Sequence, residues 1–89
     1  MIATEQWVVT VYIDERDDRT QAEARLMKRG ESELHGSGVA HRNPRDVNVP
    51  EIGAELAASR ALSQLADQLL DVSAADVERS TGQPAHFHS

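Results

Sequence analysis

The residues with the most chemical potential form one short run, a few histidines and two charge clusters. Gly36-Ser37-Gly38 sets a hydroxyl between two glycines. A hydrolase elbow requires G-x-S-x-G at a strand-to-helix turn. Here the spacing differs and the glycines fall inside a strand pattern, so packing rather than nucleophilic attack is expected of Ser37. The phosphate-loop pattern G-x-x-x-x-G-K-[ST] is absent. His86 and His88 flank Phe87 near the C-terminal end, with no third ligand close in sequence for a metal. His35 and His41 share a strand face but lie roughly 20 Å apart, too far for one ion. The turn Asp14-Glu15-Arg16-Asp17-Asp18 has the charge of a calcium loop but neither its D-x-[DN]-x-[DN]-G pattern nor its distal Glu. No catalytic residue, metal site, cofactor or small-molecule substrate is expected, and the chain does not read as an enzyme.

The second cluster is basic. Arg25, Lys28 and Arg29, with Arg42 and Arg45, are expected to gather at one side of a sheet as a candidate RNA or ribosome patch. Glu23, Glu31, Glu33 and Asp46 are interspersed among them and partly cancel it. The net charge is −6, from 9 basic and 15 acidic residues. An acidic surface repels phosphate, which argues against strong non-specific nucleic-acid binding.

The elements that position these groups follow from periodicity. Gln6 to Asp14 alternates, with Trp7, Val9, Val11 and Ile13 on one face and Val8, Thr10 and Tyr12 on the other, a strand. Asp14 to Arg19 reads as a polar turn. Thr20 to Arg29 alternates around Ala22, Ala24 and Leu26; alanine also suits a helix, but the period of two favours a strand. Lys28 to Glu31 looks like a hairpin connection with Gly30 free for positive φ. Glu33 to Arg42 is a third strand, placing Leu34, Gly36, Gly38 and Ala40 on one face, and Asn43-Pro44 ends it.

Pro50 to Leu70 is the longest helical signal, with Asn48 as its candidate N-cap. Ile52, Leu56, Ser59, Ser63, Ala66 and Leu70 recur at steps of four and three, and this narrow row is expected to lie on the glycine face of the third strand. Leu62, Leu65 and Leu69 form a second row and are candidate dimer contacts, since one helix cannot cover all the apolar strand surface. Ser73 caps an expected second, short helix that Gly82 and Pro84 stop. The reading is α+β: three antiparallel strands packed by one long helix, plus a short C-terminal helix, in one domain over residues 1–82 with a loose tail at 83–89.

The chain has 89 residues and no cysteine. One core is all that length supports, and a reducing interior fits. No apolar run approaches the roughly 20 residues of a membrane helix, and no secretory signal is visible, so the default location is the cytoplasm.

Three motifs carry a resemblance. They are D-x-R-T-x-A-x-A-x-L from Asp17 to Leu26, G-x-G-x-A from Gly36 to Ala40, and I-G-x-E-L-A-x-x-R-A-L-x-x-L-A-x-Q-L from Ile52 to Leu69. Together they resemble a family of small actinobacterial proteins of unknown function, over nearly the whole chain. The resemblance implies a β-β-β-α fold similar to the double-stranded-RNA-binding type, a homodimer, and a link to stress or dormancy. It also implies a likeness to ribosome hibernation factors, and so a ribosome- or RNA-linked accessory role. The alternative is a homodimeric protein–protein interaction module without nucleic acid. Within the motif, Glu55 is expected at the edge of the sheet contact. Gly53 is expected to permit close approach of a strand or a second subunit.

Overall fold

A computed structural model describes residues 3–27, 33–41 and 50–83. Three strands, β1 (Val8–Arg16), β2 (Arg19–Met27) and β3 (Leu34–His41), precede one helix, α1 (Pro50–Thr81). The strands form an antiparallel meander in the order β1-β2-β3. Lys28 and Arg29 lie outside the described residues; from Thr20 to Met27 the alternation reading as a strand therefore holds, even though alanine is a poor strand former. Burial supplies the reason: Ala22, Ala24 and Leu26 all face the helix and are at most 1% exposed.

The β1–β2 turn is tighter than expected. The strand runs through Arg16, which pairs with Arg19, and only Asp17 and Asp18 form the loop. Asp17 takes φ of 53° and is the only described non-glycine residue with positive φ. Asp tolerates that region better than most residues.

The register makes a gradient of side-chain size across the sheet. Val11 pairs with Ala24, which pairs with Gly36; Ile13 pairs with Ala22, which pairs with Gly38. Bulk on the helix face therefore falls from β1 to β3. The helix settles where the surface is lowest, over β3 and β2, and touches β1 only lightly.

The glycine face of β3 does lie under the helix. A Cβ built on Gly38 would collide with the Ala57 carbonyl oxygen and stand 2.5 Å from the Ala61 nitrogen. One on Gly36 would meet the Ala61 carbonyl and stand 2.5 Å from the Leu65 nitrogen. The helix row that packs there differs from the expected one. Ala57, Ala61 and Leu65 are buried, whereas Ile52, Leu56, Ser59, Ser63 and Ala66 are exposed and Leu70 is half-buried. At about 100° per residue, Leu56 and Ile52 stand about 100° and 140° round the helix from Ala57. A glycine surface selects the smallest helix residues, because only they let the two backbones meet. Gly53 continues the row and lies against Thr20 of β2, so its close contact is with a strand. Glu55 is exposed, away from the sheet.

The expected short C-terminal helix is not a separate element. The chain continues in one helix of 32 residues to Thr81. No proline or glycine falls between Leu70 and Thr81, and a Ser73 cap worth about 1 kcal/mol does not compensate for a broken hydrogen-bond ladder. Gly82, at φ of 71°, ends the helix, and its N–H donates to the Glu78 carbonyl at 2.7 Å, an αL cap. At 1.5 Å per residue the helix spans about 48 Å against about 30 Å for a nine-residue strand. Its last turns thus run past the sheet, and most residues beyond Leu70 are exposed.

The helix also closes one edge of the sheet. The Ser37 N–H donates to Gln64 Oε1 at 2.5 Å, and Arg60 Nη1 donates to the Val39 carbonyl at 2.6 Å. β3 is an edge strand, and these are the groups it turns away from β2. Replacing both Arg60 and Gln64 by alanine should reopen that edge. Each lost bond is worth about 0.5–1.5 kcal/mol. Denaturant melts should show that loss, with light scattering rising at concentrations where the parent chain stays clear.

Candidate interaction surface

The groups singled out for chemistry do not converge. Ser37 is exposed on the face away from the helix, as are His35 and His41. Among the described residues no group of three histidines or carboxylates is placed to hold a metal ion. A depression lined by Asp14, Arg16, Arg19 and Gln21 measures about 220 Å³ and is open to solvent. Ligand pockets usually run about 300–1,000 Å³ and are more enclosed.

Of the basic cluster, Arg25 alone lies in the described residues; Lys28, Arg29, Arg42 and Arg45 fall outside them, as do Gly30, the Asn43-Pro44 turn, Asn48, His86 and His88. Arg25 is already engaged. Its Nε lies 3.0 Å from Glu23 Oε1 and 3.6 Å from Glu33 Oε1, and its guanidinium carbon sits 5.0 Å from the Tyr12 ring centre. Two carboxylates and a ring face satisfy a cation that a phosphate would otherwise recruit.

The Arg25 hydrogen bond is the main reason the Glu23 carboxyl titrates below its usual value of 4.5. Glu23 in turn raises the Arg25 pKa, first through the same bond. A depressed carboxylate stabilises the fold above its ordinary pKa, and the contribution fades as pH falls through the folded value. Urea melts of parent and Glu23→Gln should therefore differ at pH 6 and converge toward pH 3. The pair is solvent-exposed, so the difference should be small.

The most distinctive surface is β1. Among the described residues ten large apolar side chains are well exposed, and half of them, Trp7, Val8, Val9, Tyr12 and Ile13, lie within seven consecutive residues. Val9 and Ile13 face the helix side but remain 44% and 49% exposed, because the helix stands over the other two strands. β1 is also the second edge of the sheet. Ser37 and Val39 turn their backbone groups away from β2, so by alternation Gly36 and Gly38 bond to Ala24 and Ala22. The other β2 residues, Glu23 and Arg25, then bond to Tyr12 and Thr10. Val9, Val11 and Ile13 consequently present their N–H and C=O groups outward.

The three leucines named as dimer contacts divide. Leu65 is 3% exposed and belongs to the core, and Leu69 is half-buried against it. Leu62 is 42% exposed and presents surface. Sequence reasoning missed the outward edge of β1 and the edge-closing role of Arg60 and Gln64. Both follow from strand order, which no local pattern carries.

These features define a class: a small α+β domain of three antiparallel strands and one helix, with no assembled catalytic group among the described residues. Its most exposed apolar feature is a strand edge. The chain belongs to the Rv2632c-like family, whose model matches residues 5–86. It is 52% identical over 83 residues to the uncharacterized proteins Mb1767 of Mycobacterium bovis and MT1780 of Mycobacterium tuberculosis, covering 93% of this chain and 87% of each of those. The uncharacterized protein Rv2632c of Mycobacterium tuberculosis is 47% identical over 76 residues, 85% of this chain and 81% of that one. The crystal structure of Rv2632c superposes with a TM-score of 0.83 at 43% identity, covering 93% of this chain and 98% of that chain. The small actinobacterial family expected from the three motifs is thus found. No helix among the described residues is long and apolar enough to cross a membrane.

Proposed function

We propose that this chain is a non-enzymatic protein-interaction module working through the outer edge of β1. One observation carries the reading: an exposed strand, mostly apolar from Val8 to Ile13, whose outer edge pairs with no other described strand, on a domain whose other edge is closed by its own helix. A strand edge binds protein through main-chain hydrogen bonds, with alternate side chains adding specificity. The net charge of −6 and the engagement of Arg25 weigh against a phosphate-binding role.

Co-sedimentation with ribosomes from the protein's own source at about 50 mM and 200 mM salt tests this. A phosphate-binding surface loses affinity steeply over that range. The expected result is no binding at either salt. Binding at low salt that fades at high salt, and fades again in an Arg25→Glu, Lys28→Glu variant, would replace this reading with that of a stress- or dormancy-associated, ribosome-linked accessory factor. It would also favour the double-stranded-RNA-binding likeness.

A further inference from the structure

We infer that the occupant of the β1 edge is β1 of a second copy, paired antiparallel about a two-fold axis through Val11, so that two three-stranded sheets become one of six strands. This rests on the interaction-module reading and names the partner.

The two edges of the sheet are treated differently. β3 is closed by Gln64 and Arg60. From Val8 to Ile13, β1 carries none of the devices that keep natural edges apart; its charges, Asp14, Glu15 and Arg16, are confined to its C-terminal end. It has no proline and no lysine, and its register with β2 runs without a bulge from Val8↔Met27 to Arg16↔Arg19. Of its inward positions, Val9, Val11 and Ile13 are apolar, and only the last, Glu15, holds a protective charge.

A homodimer about a two-fold axis needs a self-complementary strand. Centred on Val11, the pairing sets Val11 against itself, Val9 against Ile13 of the second copy and, at the end of the ladder, Trp7 against Glu15. These are the outward-bonding positions, so each pair exchanges two N–H···O=C bonds. On the other face Thr10 meets Tyr12, Val8 meets Asp14, and Gln6 meets Arg16, so no like charges are opposed over residues 6–16. Neighbouring registers are worse. An axis at Thr10 sets Glu5 against Glu15, two like charges within the ladder, and an axis at Tyr12 moves the Glu15 carboxylate inward from Trp7 to Val9. The Val11 register also covers the exposed sides of Val9 and Ile13, which the helix leaves bare.

Sedimentation of the full chain at tens of micromolar should give twice the 9.8 kDa of one copy. Val11→Pro should halve that mass. Its N–H points outward, so proline removes no bond to β2 and edge strands accept it; helix content by circular dichroism should persist. The chain has no cysteine, so a single Val11→Cys gives an independent reading that does not depend on proline being tolerated. Directly opposed residues stand about 5.5 Å apart, within disulfide reach, and mild oxidation should yield a covalent dimer. Ile52→Cys, on the outer helix face, should not. A mass of 9.8 kDa at every concentration overturns the self-pairing and leaves the module with a foreign strand to bind. A dimer that survives Val11→Pro folded and gives no Val11→Cys cross-link overturns the edge. Salt-sensitive ribosome binding bears on the functional reading and not on this one.

Discussion

Gly38→Ala should lower the stability of this protein by about 3 kcal/mol, the upper part of the usual range for overpacking. The added methyl has nowhere to go. It would collide with the Ala57 carbonyl oxygen, and it would stand 2.5 Å from the Ala61 nitrogen and 2.7 Å from the Arg60 Cβ. Two of those three atoms are helix backbone, which cannot rotate aside as a flexible side chain does. The helix must lift, and lifting loosens Ala57, Ala61 and Leu65 together. For a domain of this size 1 kcal/mol moves the midpoint by about 4–8 °C, so thermal melts should fall by roughly 12–24 °C. Gly36→Ala should act similarly, through the Ala61 carbonyl and the Leu65 nitrogen. The double variant should cost less than the sum, because a helix already raised clears both methyls. Gly82→Asn is the contrast: nothing lies within 4 Å and asparagine tolerates αL, so little change is expected. An unaltered melt for Gly38→Ala would mean that helix and strand are not in backbone contact.

Leu26→Ala should cost about 3 kcal/mol, within the usual range for a buried leucine. Leu26 is 1% exposed and is the largest fully buried side chain, in a core otherwise made mostly of alanine. Its cross-strand partners, Val9 and Leu34, are held in place by the sheet backbone and fill the space it leaves only in part, so a cavity term adds to the lost transfer free energy. Leu56→Ala removes the same atoms from a site 46% exposed and should cost well under 1 kcal/mol. Denaturant midpoints with unchanged slopes would measure both. Equal losses at the two leucines would sink the helix orientation described above and restore the row containing Ile52 and Leu56.

Much of the fold was legible before any tertiary contact was known. The alternation of Val9, Val11 and Ile13 with Val8, Thr10 and Tyr12 marked β1 and its two faces. Ala22, Ala24 and Leu26 were correctly assigned to a strand on period alone. The glycines at 36 and 38 were matched to a close helix approach, because a missing side chain in a strand has few other uses. The candidate site was far less legible. Arg25 looked like one member of a basic patch, yet Glu23 and Glu33 hold it, and the distances that show this arise only when β1, β2 and the start of β3 are aligned.

What the sequence by itself determined is local: which stretches alternate, where a long helix begins, and which strand face is bare enough to receive it. The tertiary structure decided three things. It chose the row of Gly53, Ala57, Ala61 and Leu65 over that of Ile52 and Leu56, because backbone contact rewards small side chains while a hydrophobic pattern weights large ones. It joined the expected short helix to the long one, because an unbroken hydrogen-bond ladder outweighs a good cap in the middle. And it set which edge of the sheet is covered. That depends on where the helix comes to rest on a sheet whose bulk falls from β1 to β3, a property of three strands in register that no single strand contains.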